Sequence, residues 1–245
     1  MPSRTFLEVQ HLTQMVPQAR EQTILLKEIS YQFQKGCSYG LMGTSGSGKS
    51  TLLAVLSGFE APTYGHVLLE GKDLYGSSST DRLAMRRQLG VVFQIPYLIN
   101  EFTLLENIMI KGLIDHHEYR EASEKALYLL AKVGLAGKES QSPRSLSGGE
   151  QQRACIARAL FSEPSFIIAD EPTAHLDEIN ARLSISVLLD YQKENHSGLL
   201  IATHDPIVLG MLDTTLQLEA GTLSPFSRGS YKQRAMIGKE QESDD

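Results

Sequence analysis

A chain of 245 residues with 41 % apolar and 21 % charged side chains is long enough for one large or two modest globular domains with ample core. Its net charge of −6, with no Lys/Arg cluster, excludes the basic footprint expected of a nucleic-acid binder. No run reaches the ~18 to 20 consecutive apolar residues of a membrane span, and the first twelve residues contain no apolar signal segment. The expectation is a soluble, cytosolic protein with no direct membrane insertion, so that any membrane role comes through a partner. Cys37 and Cys155 are too far apart for a metal or redox spacing and read as packing thiols of a reducing compartment.

In chain order, Phe6–His11, Ile24–Gln34 and His66–Leu69 carry the β-branched and aromatic residues of strands bounded by Gly or Pro. Gln18–Thr23 reads as a polar hairpin-like break between the first two. Cys37–Met42 is a compact apolar strand running into a Gly/Ser-rich loop, and Lys49–Leu56 then has helical spacing up to the stop signal Ser57-Gly58. Asp81–Leu89, Thr103–Leu113 and Tyr119–Val133 are amphipathic helical patterns, the last with Ala122, Ala126, Leu129, Leu130 and Val133 on one face. Beyond this mostly helical stretch, Ser165–Ala169 is a buried strand, Glu178–Glu194 a helix, Gly198–Thr203 another buried strand and Thr214–Leu218 a last strand before a hairpin at Ala220-Gly221. Continuous apolar strands alternating with helices imply a parallel sheet covered on both faces. Residues 224–245 are polar, end in Glu-Ser-Asp-Asp and are expected to be poorly ordered.

Gly43-Thr44-Ser45-Gly46-Ser47-Gly48-Lys49-Ser50 matches G-x-x-x-x-G-K-[ST] between a strand and a helix. Glycines at 43, 46 and 48 let successive N–H groups curl toward one anion, and the helix starting near Lys49 adds its N-terminal partial charge. Lys49 would reach the β- and γ-phosphates of ATP, Ser50 would ligate Mg²⁺, and Thr51 would cap the α-phosphate side. A flexible Gly/Ser turn would not need the lysine.

Phe166-Ile-Ile-Ala-Asp170-Glu171 is an apolar strand ending in two carboxylates. In a parallel sheet the strand's carboxyl end faces the ligand crevice. Asp170 would hold Mg²⁺ through water, and Glu171 would orient or deprotonate the attacking water. A solvated acidic turn is the plain alternative, but delivering two charges on a buried strand is expensive unless they are used. His204 follows the second buried strand in the same layer, which suits a γ-phosphate contact. The other six histidines lack such placement and read as surface or packing residues.

Leu146-Ser-Gly-Gly-Glu-Gln-Gln-Arg153 narrows the reading. It resembles the signature motif of ABC nucleotide-binding domains: a Ser hydroxyl and glycine N–H groups at a helix start, hence a second anion site on one chain. The resemblance spans about Phe6 to Leu223 and implies a P-loop NTPase of ABC type. That fold has a mostly parallel core sheet, an N-terminal antiparallel β subdomain and an α-helical subdomain inserted at about residues 95–147. The whole forms a single ATPase domain over residues 1–223, followed by the tail.

In that family Ser147, Gly148 and Gly149 face the γ-phosphate of ATP held by the Lys49 of a second copy. Gln94 resembles the Q-loop glutamine, a Mg²⁺/water ligand at the hinge of the insert. Ala174-His-Leu-Asp177 resembles the D-loop, with Asp177 at the dimer interface, and His204 resembles the switch histidine. Family members usually place an aromatic residue after the first strand to stack on adenine. Here Leu12-Thr-Gln-Met-Val16 offers only Val16 or Met15, an aliphatic contact that puts base selectivity in question.

Residues 94–108 further resemble an export-linked subgroup of lipoprotein-releasing, macrolide-export and cell-division ATPases. In those, two cassettes work with integral membrane permease subunits on the cytoplasmic face of the inner membrane. Tyr97, Leu98 and Phe102 are candidate anchors for a permease coupling helix, with core packing the alternative for each. A soluble ABC protein acting on nucleic acid or ribosomes is the competing class. One cassette per chain and the lack of sustained heptads argue against it. A cassette that binds ATP without hydrolysing it is disfavoured by the intact Lys49, Glu171 and His204.

Overall fold

A computed structural model describes residues 6–18 and 21–226. The first five residues, residues 19–20 and most of the polar tail (227–245) lie outside the described residues, and with them most of what was expected of the tail.

In chain order the elements are β1 (Phe6–Gln18), β2 (Glu21–Gln34), β3 (Ser38–Met42), α1 (Lys49–Leu56), β4 (Tyr64–Leu69), β5 (Lys72–Asp73), α2 (Ser79–Arg87) and β6 (Leu89–Val92). There follow α3 (Leu104–Ile114), α4 (Tyr119–Lys132), a 3₁₀ turn (Pro143–Ser145), α5 (Gly148–Leu160), β7 (Phe166–Asp170), α6 (Glu178–Asn195), β8 (Gly198–Ala202), α7 (Pro206–Gly210), β9 (Thr214–Glu219) and β10 (Thr222–Pro225). β2, β1, β4 and β5 form an antiparallel sheet in that order. The second sheet runs β10-β9-β3-β8-β7-β6, parallel throughout except for the antiparallel edge strand β10.

The parallel sheet is apolar on both faces because each face has its own core. Along β7 and β8, Ile167, Ala169, Leu199 and Ile201 point to one core, with residues of α3, α4, α5 and α6. The alternate residues Phe166, Ile168, Leu200 and Ala202 point to the other, with α1 and the antiparallel sheet. The period of two along a strand sorts a continuous apolar run into two half-cores. Helix ends follow local chemistry as well. Thr103 caps α3 and Ser147 caps α5, each in a reciprocal box with a glutamate three residues on.

Three expectations need correction. The break at Gln18–Thr23 is strand on both sides: Val16 pairs with Thr23, Pro17 with Gln22 and Gln18 with Glu21. A polar hairpin end continues the ladder because main-chain bonding needs no apolar side chain. The second helix ends at Arg87, not Leu89, and Leu89–Val92 instead pairs with Phe166–Ala169 as the edge of the parallel sheet. Gly90 makes this possible: a Cβ there would sit 2.8 Å from Pro164 Cγ and 2.9 Å from the Ala159 carbonyl. Finally, order extends past Leu223, since Ser224 and Pro225 pair with Gln217 and Leu216. Proline is tolerated there because β10 is an edge strand.

Candidate functional site

The register of the parallel sheet builds the site. Leu41 of β3 is level with Ala202 of β8, and Ala202 is level with Asp170 of β7; Ala169 is level with Val92 of β6. Gly43, His204, Glu171 and Gln94 therefore leave the carboxyl ends of four strands in one layer. This is the crevice where ligands bind open α/β sheets.

A cleft of about 480 Å³ opens on this layer. Its walls include Gly43, Ser45, Gly46, Gly48, Lys49, Ser50 and Thr51 from the phosphate loop, together with Gln94, Asp170, Glu171 and His204. Leu25 and Ala174 complete it. Most residues expected from sequence are thus brought together. Thr44 and Ser47 sit in the loop without lining the cleft. The Ser47 Oγ is buried and makes no hydrogen bond among the described residues. Val16, expected against the base, does not line the cleft: β1 continues past it, and the aliphatic wall comes from Leu25 on the neighbouring strand. No sequence signal singled out Leu25.

The loop's shape depends on its glycines. Gly48, the N-cap of α1, has φ 100°, and a Cβ at Gly43 would lie 2.5 Å from the Leu218 carbonyl. Lys49 Nζ donates to the carbonyls of Gly43 (2.8 Å) and Thr44 (3.2 Å), so its ammonium lies across the mouth of the loop.

On the acidic side, burial raises the Asp170 carboxyl above the ordinary aspartate value. The neighbouring Glu171 charge pushes it the same way, against a hydrogen bond from Ser50 and the charge of Lys49. Glu171 adopts φ 43°, a left-handed conformation rare outside glycine, pinned by its N–H donating to the Ala202 carbonyl at 2.9 Å. Its carboxylate lies 3.1 Å from Nδ1 of His204, an exposed ring reaching over a largely buried acid. Ser50 Oγ, Asp170 and the Gln94 amide offer hard oxygen donors among the residues lining the cleft, a set suited to Mg²⁺ shared with phosphates and water.

The residues expected to form a second anion site lie outside this cleft. Ser147 accepts from the Glu150 N–H at 3.3 Å, its own N–H donates to Glu150 Oε2 at 2.9 Å, and Lys138 pairs with Glu150 at 2.5 Å. Ser147 and Gly148 are exposed, and neither they nor Gly149 line the cleft of their own chain. Helix α5 is tied back to the site by the buried Gln152, whose amide donates to the Phe93 carbonyl next to Gln94 at 3.0 Å.

A glycine-cradled anion loop, a carboxylate pair and a histidine at the ends of adjacent parallel strands define a P-loop nucleotide hydrolase of cassette architecture. Comparison with known proteins gives the family. Residues 26–174 match the family described as ABC transporter, and the chain belongs to it. It is 38 % identical over 224 residues to the lipoprotein-releasing system ATP-binding protein LolD of Buchnera aphidicola subsp. Schizaphis graminum, covering 91 % of this chain and 98 % of that one. It is 42 % identical over 198 residues to LolD of Aquifex aeolicus, covering 80 % and 88 %. Among solved structures it matches the dimeric post-hydrolysis state of the ATP-binding cassette MJ0796 bound to ADP and Pi, with TM-score 0.83 and 28 % identity over 90 % of this chain and 99 % of that one. The chain is an ATP-binding, ATP-hydrolysing cassette of the LolD type. No helix among the described residues is long and apolar enough to cross a membrane.

Proposed function

We propose that two copies of this chain close face to face around two Mg-ATP and that this closure drives integral membrane permease subunits of an export or lipoprotein-release system. The observation that carries the reading is the separation of the two anion sites: Ser147 and Gly148 are exposed and outside the cleft that holds Lys49. A site of that chemistry, exposed and outside its own nucleotide cleft, is completed by the ATP of a second copy. The relative MJ0796 is itself dimeric in its ADP and Pi state.

In this mechanism the loop N–H groups and Lys49 hold the phosphates, and Lys49 exchanges its two carbonyl partners for phosphate oxygens. Mg²⁺ fits Ser50, Asp170 and Gln94, where it would offset phosphate charge. Glu171 orients and deprotonates the attacking water, and His204, within hydrogen-bond distance of Glu171, supports that carboxylate and contacts the γ-phosphate. Leu25 offers the ligand an aliphatic wall.

We read residues 95–147 as the inserted helical subdomain of a single domain over 1–223. The permease docks beside Gln94, on the cytoplasmic face of the inner membrane. A groove of about 220 Å³ lies there, lined by Phe59, Phe93, Arg86, Lys111 and Arg158. Phe59, Phe93 and Tyr97 form a continuous exposed aromatic row with ring centroids 5.5 Å apart. Leu98 packs partly into the core, and Phe102 is half-buried, so Tyr97 is the better anchor of the three considered.

The test is Ser147→Ala. ATP affinity of the isolated chain stays at the wild-type value, while steady-state hydrolysis at high protein concentration falls at least tenfold. An equal loss of affinity in the monomer overturns the in-trans role.

A further inference from the structure

We infer that Asn180 is a positioning residue that sets the signature helix against the loop preceding α6, and so controls closure of the two-copy assembly without touching nucleotide in its own chain. The inference rests on the in-trans reading above.

Asn180 lies in the first turn of α6, opposite the start of α5. A Cβ added at Gly149 would sit 2.6 Å from Asn180 Cγ and 2.7 Å from its Oδ1, whereas one at Gly148 would meet nothing within 4 Å. The two glycines therefore have different tasks. Gly148 leaves the outer face open, and Gly149 lets α5 lie directly on the Asn180 side chain.

One turn further along α5, the buried Arg153 donates to Asn180 Oδ1 at 2.6 Å and to the Val133 carbonyl at the end of α4 at 3.1 Å. At its other end Asn180 Nδ2 donates to Asp177 Oδ2 at 2.5 Å, and Asp177 Oδ1 accepts from the Asn180 N–H at 2.9 Å as the N-cap of α6. Together, Arg153 and Asn180 link the end of α4, the signature helix and the loop ending at Asp177, with Asn180 the joint between Arg153 and Asp177.

The chemistry requires an amide. Arg153 only donates and a carboxylate at Asp177 only accepts, so the bridging group needs an acceptor at one end and a donor at the other. Aspartate at 180 keeps the bond to Arg153 but sets two carboxylates against each other. Leucine, of similar shape, satisfies neither. None of the sequence motifs above contains this residue; the network is visible only once α5 and α6 are packed together.

The experiment uses the full chain in a Glu171→Gln background, where hydrolysis does not deplete the ATP-bound dimer. ATP affinity is measured at protein concentrations where the chain is monomeric. The dimer dissociation constant is measured by sedimentation at saturating Mg-ATP. In Asn180→Leu and Asn180→Asp the monomer affinity is expected to stay within about twofold and the dimer dissociation constant to rise about tenfold or more, a split that general destabilisation would not give. Thermal unfolding with ATP identifies any variant that fails to fold, and Asn180→Asp, of nearly unchanged size, then carries the test. Adding Asp177→Asn to Asn180→Asp returns a donor opposite the new carboxylate, and the pair is expected to dimerise better than the two single losses would sum to. Unchanged dimerisation in a folded variant, or strictly additive losses, overturns the inference. A Glu171→Gln parent that stays monomeric in Mg-ATP overturns the in-trans reading itself, and the inference with it.

Discussion

The conformation of the phosphate loop is a property of the sequence before any nucleotide binds, and Gly48→Ala tests this. Gly48 has φ 100° and ψ 11°, beyond the small left-handed region open to other L-residues. A Cβ there would stand 2.9 Å from Leu26 Cδ2 and 3.2 Å from Leu25 Cγ. Leu26 is fully buried and Leu25 is part of the cleft wall, so the clash cannot be relieved without moving the wall. Holding a non-glycine residue in such a conformation costs about 1–3 kcal/mol. At about 2–4 °C per kcal/mol for a domain of this size, Tm should fall by roughly 2–12 °C. ATP affinity should fall with it, because the loop N–H groups lose their common focus. The assays are thermal unfolding without nucleotide and calorimetric ATP binding. A variant with unchanged Tm and unchanged affinity would show that the loop is shaped by the ligand, and the preset geometry would be refuted.

Other perturbations separate the roles of neighbouring groups. Lys49→Ala removes a charge-assisted contact worth about 1.5–3 kcal/mol, so ATP affinity should fall by roughly ten- to a hundredfold; wild-type affinity would contradict the loop assignment. Asp170 gives a pH-dependent prediction. Its folded value is raised, mainly by burial, so the native state favours the protonated form. That contribution is fully present below the unfolded value of about 3.9 and is lost as pH rises through the folded value. Asp170→Asn, which keeps an acceptor for Ser50, should therefore raise the Tm of the nucleotide-free chain at neutral pH, with the gain shrinking as pH falls toward about 4. A variant less stable than wild type at neutral pH would reverse the sign and refute the account of this carboxylate.

Much of the site was legible in the sequence because its parts sit where chain geometry leaves little choice. Gly43–Ser50 lies between an apolar strand and a helix. Asp170-Glu171 and His204 end two apolar runs that can only be central strands. Parallel pairing then brings all three carboxyl ends to one layer. What was not legible depended on contacts between distant segments. Leu89–Val92 is four residues long, follows an amphipathic helix directly and, among the described residues, pairs only with β7, so its period carries no strand signal of its own. Leu25 lines the cleft and Val16 does not, because the first hairpin extends beyond its apolar part, which composition does not reveal. Asn180 is an ordinary polar helix residue in sequence, and Gln152 lies in the signature segment with nothing to mark its bond to Phe93. Their roles appear only when α5 is placed against α6 and against Phe93.

The central claim is that each copy completes the other's ATP site, and Glu171→Gln tests it most directly. The variant should bind ATP as wild type does, lose turnover by on the order of 10²–10⁴-fold, and sediment as a stable dimer in Mg-ATP but as a monomer without nucleotide. Wild-type hydrolysis, or a chain that remains monomeric at saturating Mg-ATP, would contradict the account.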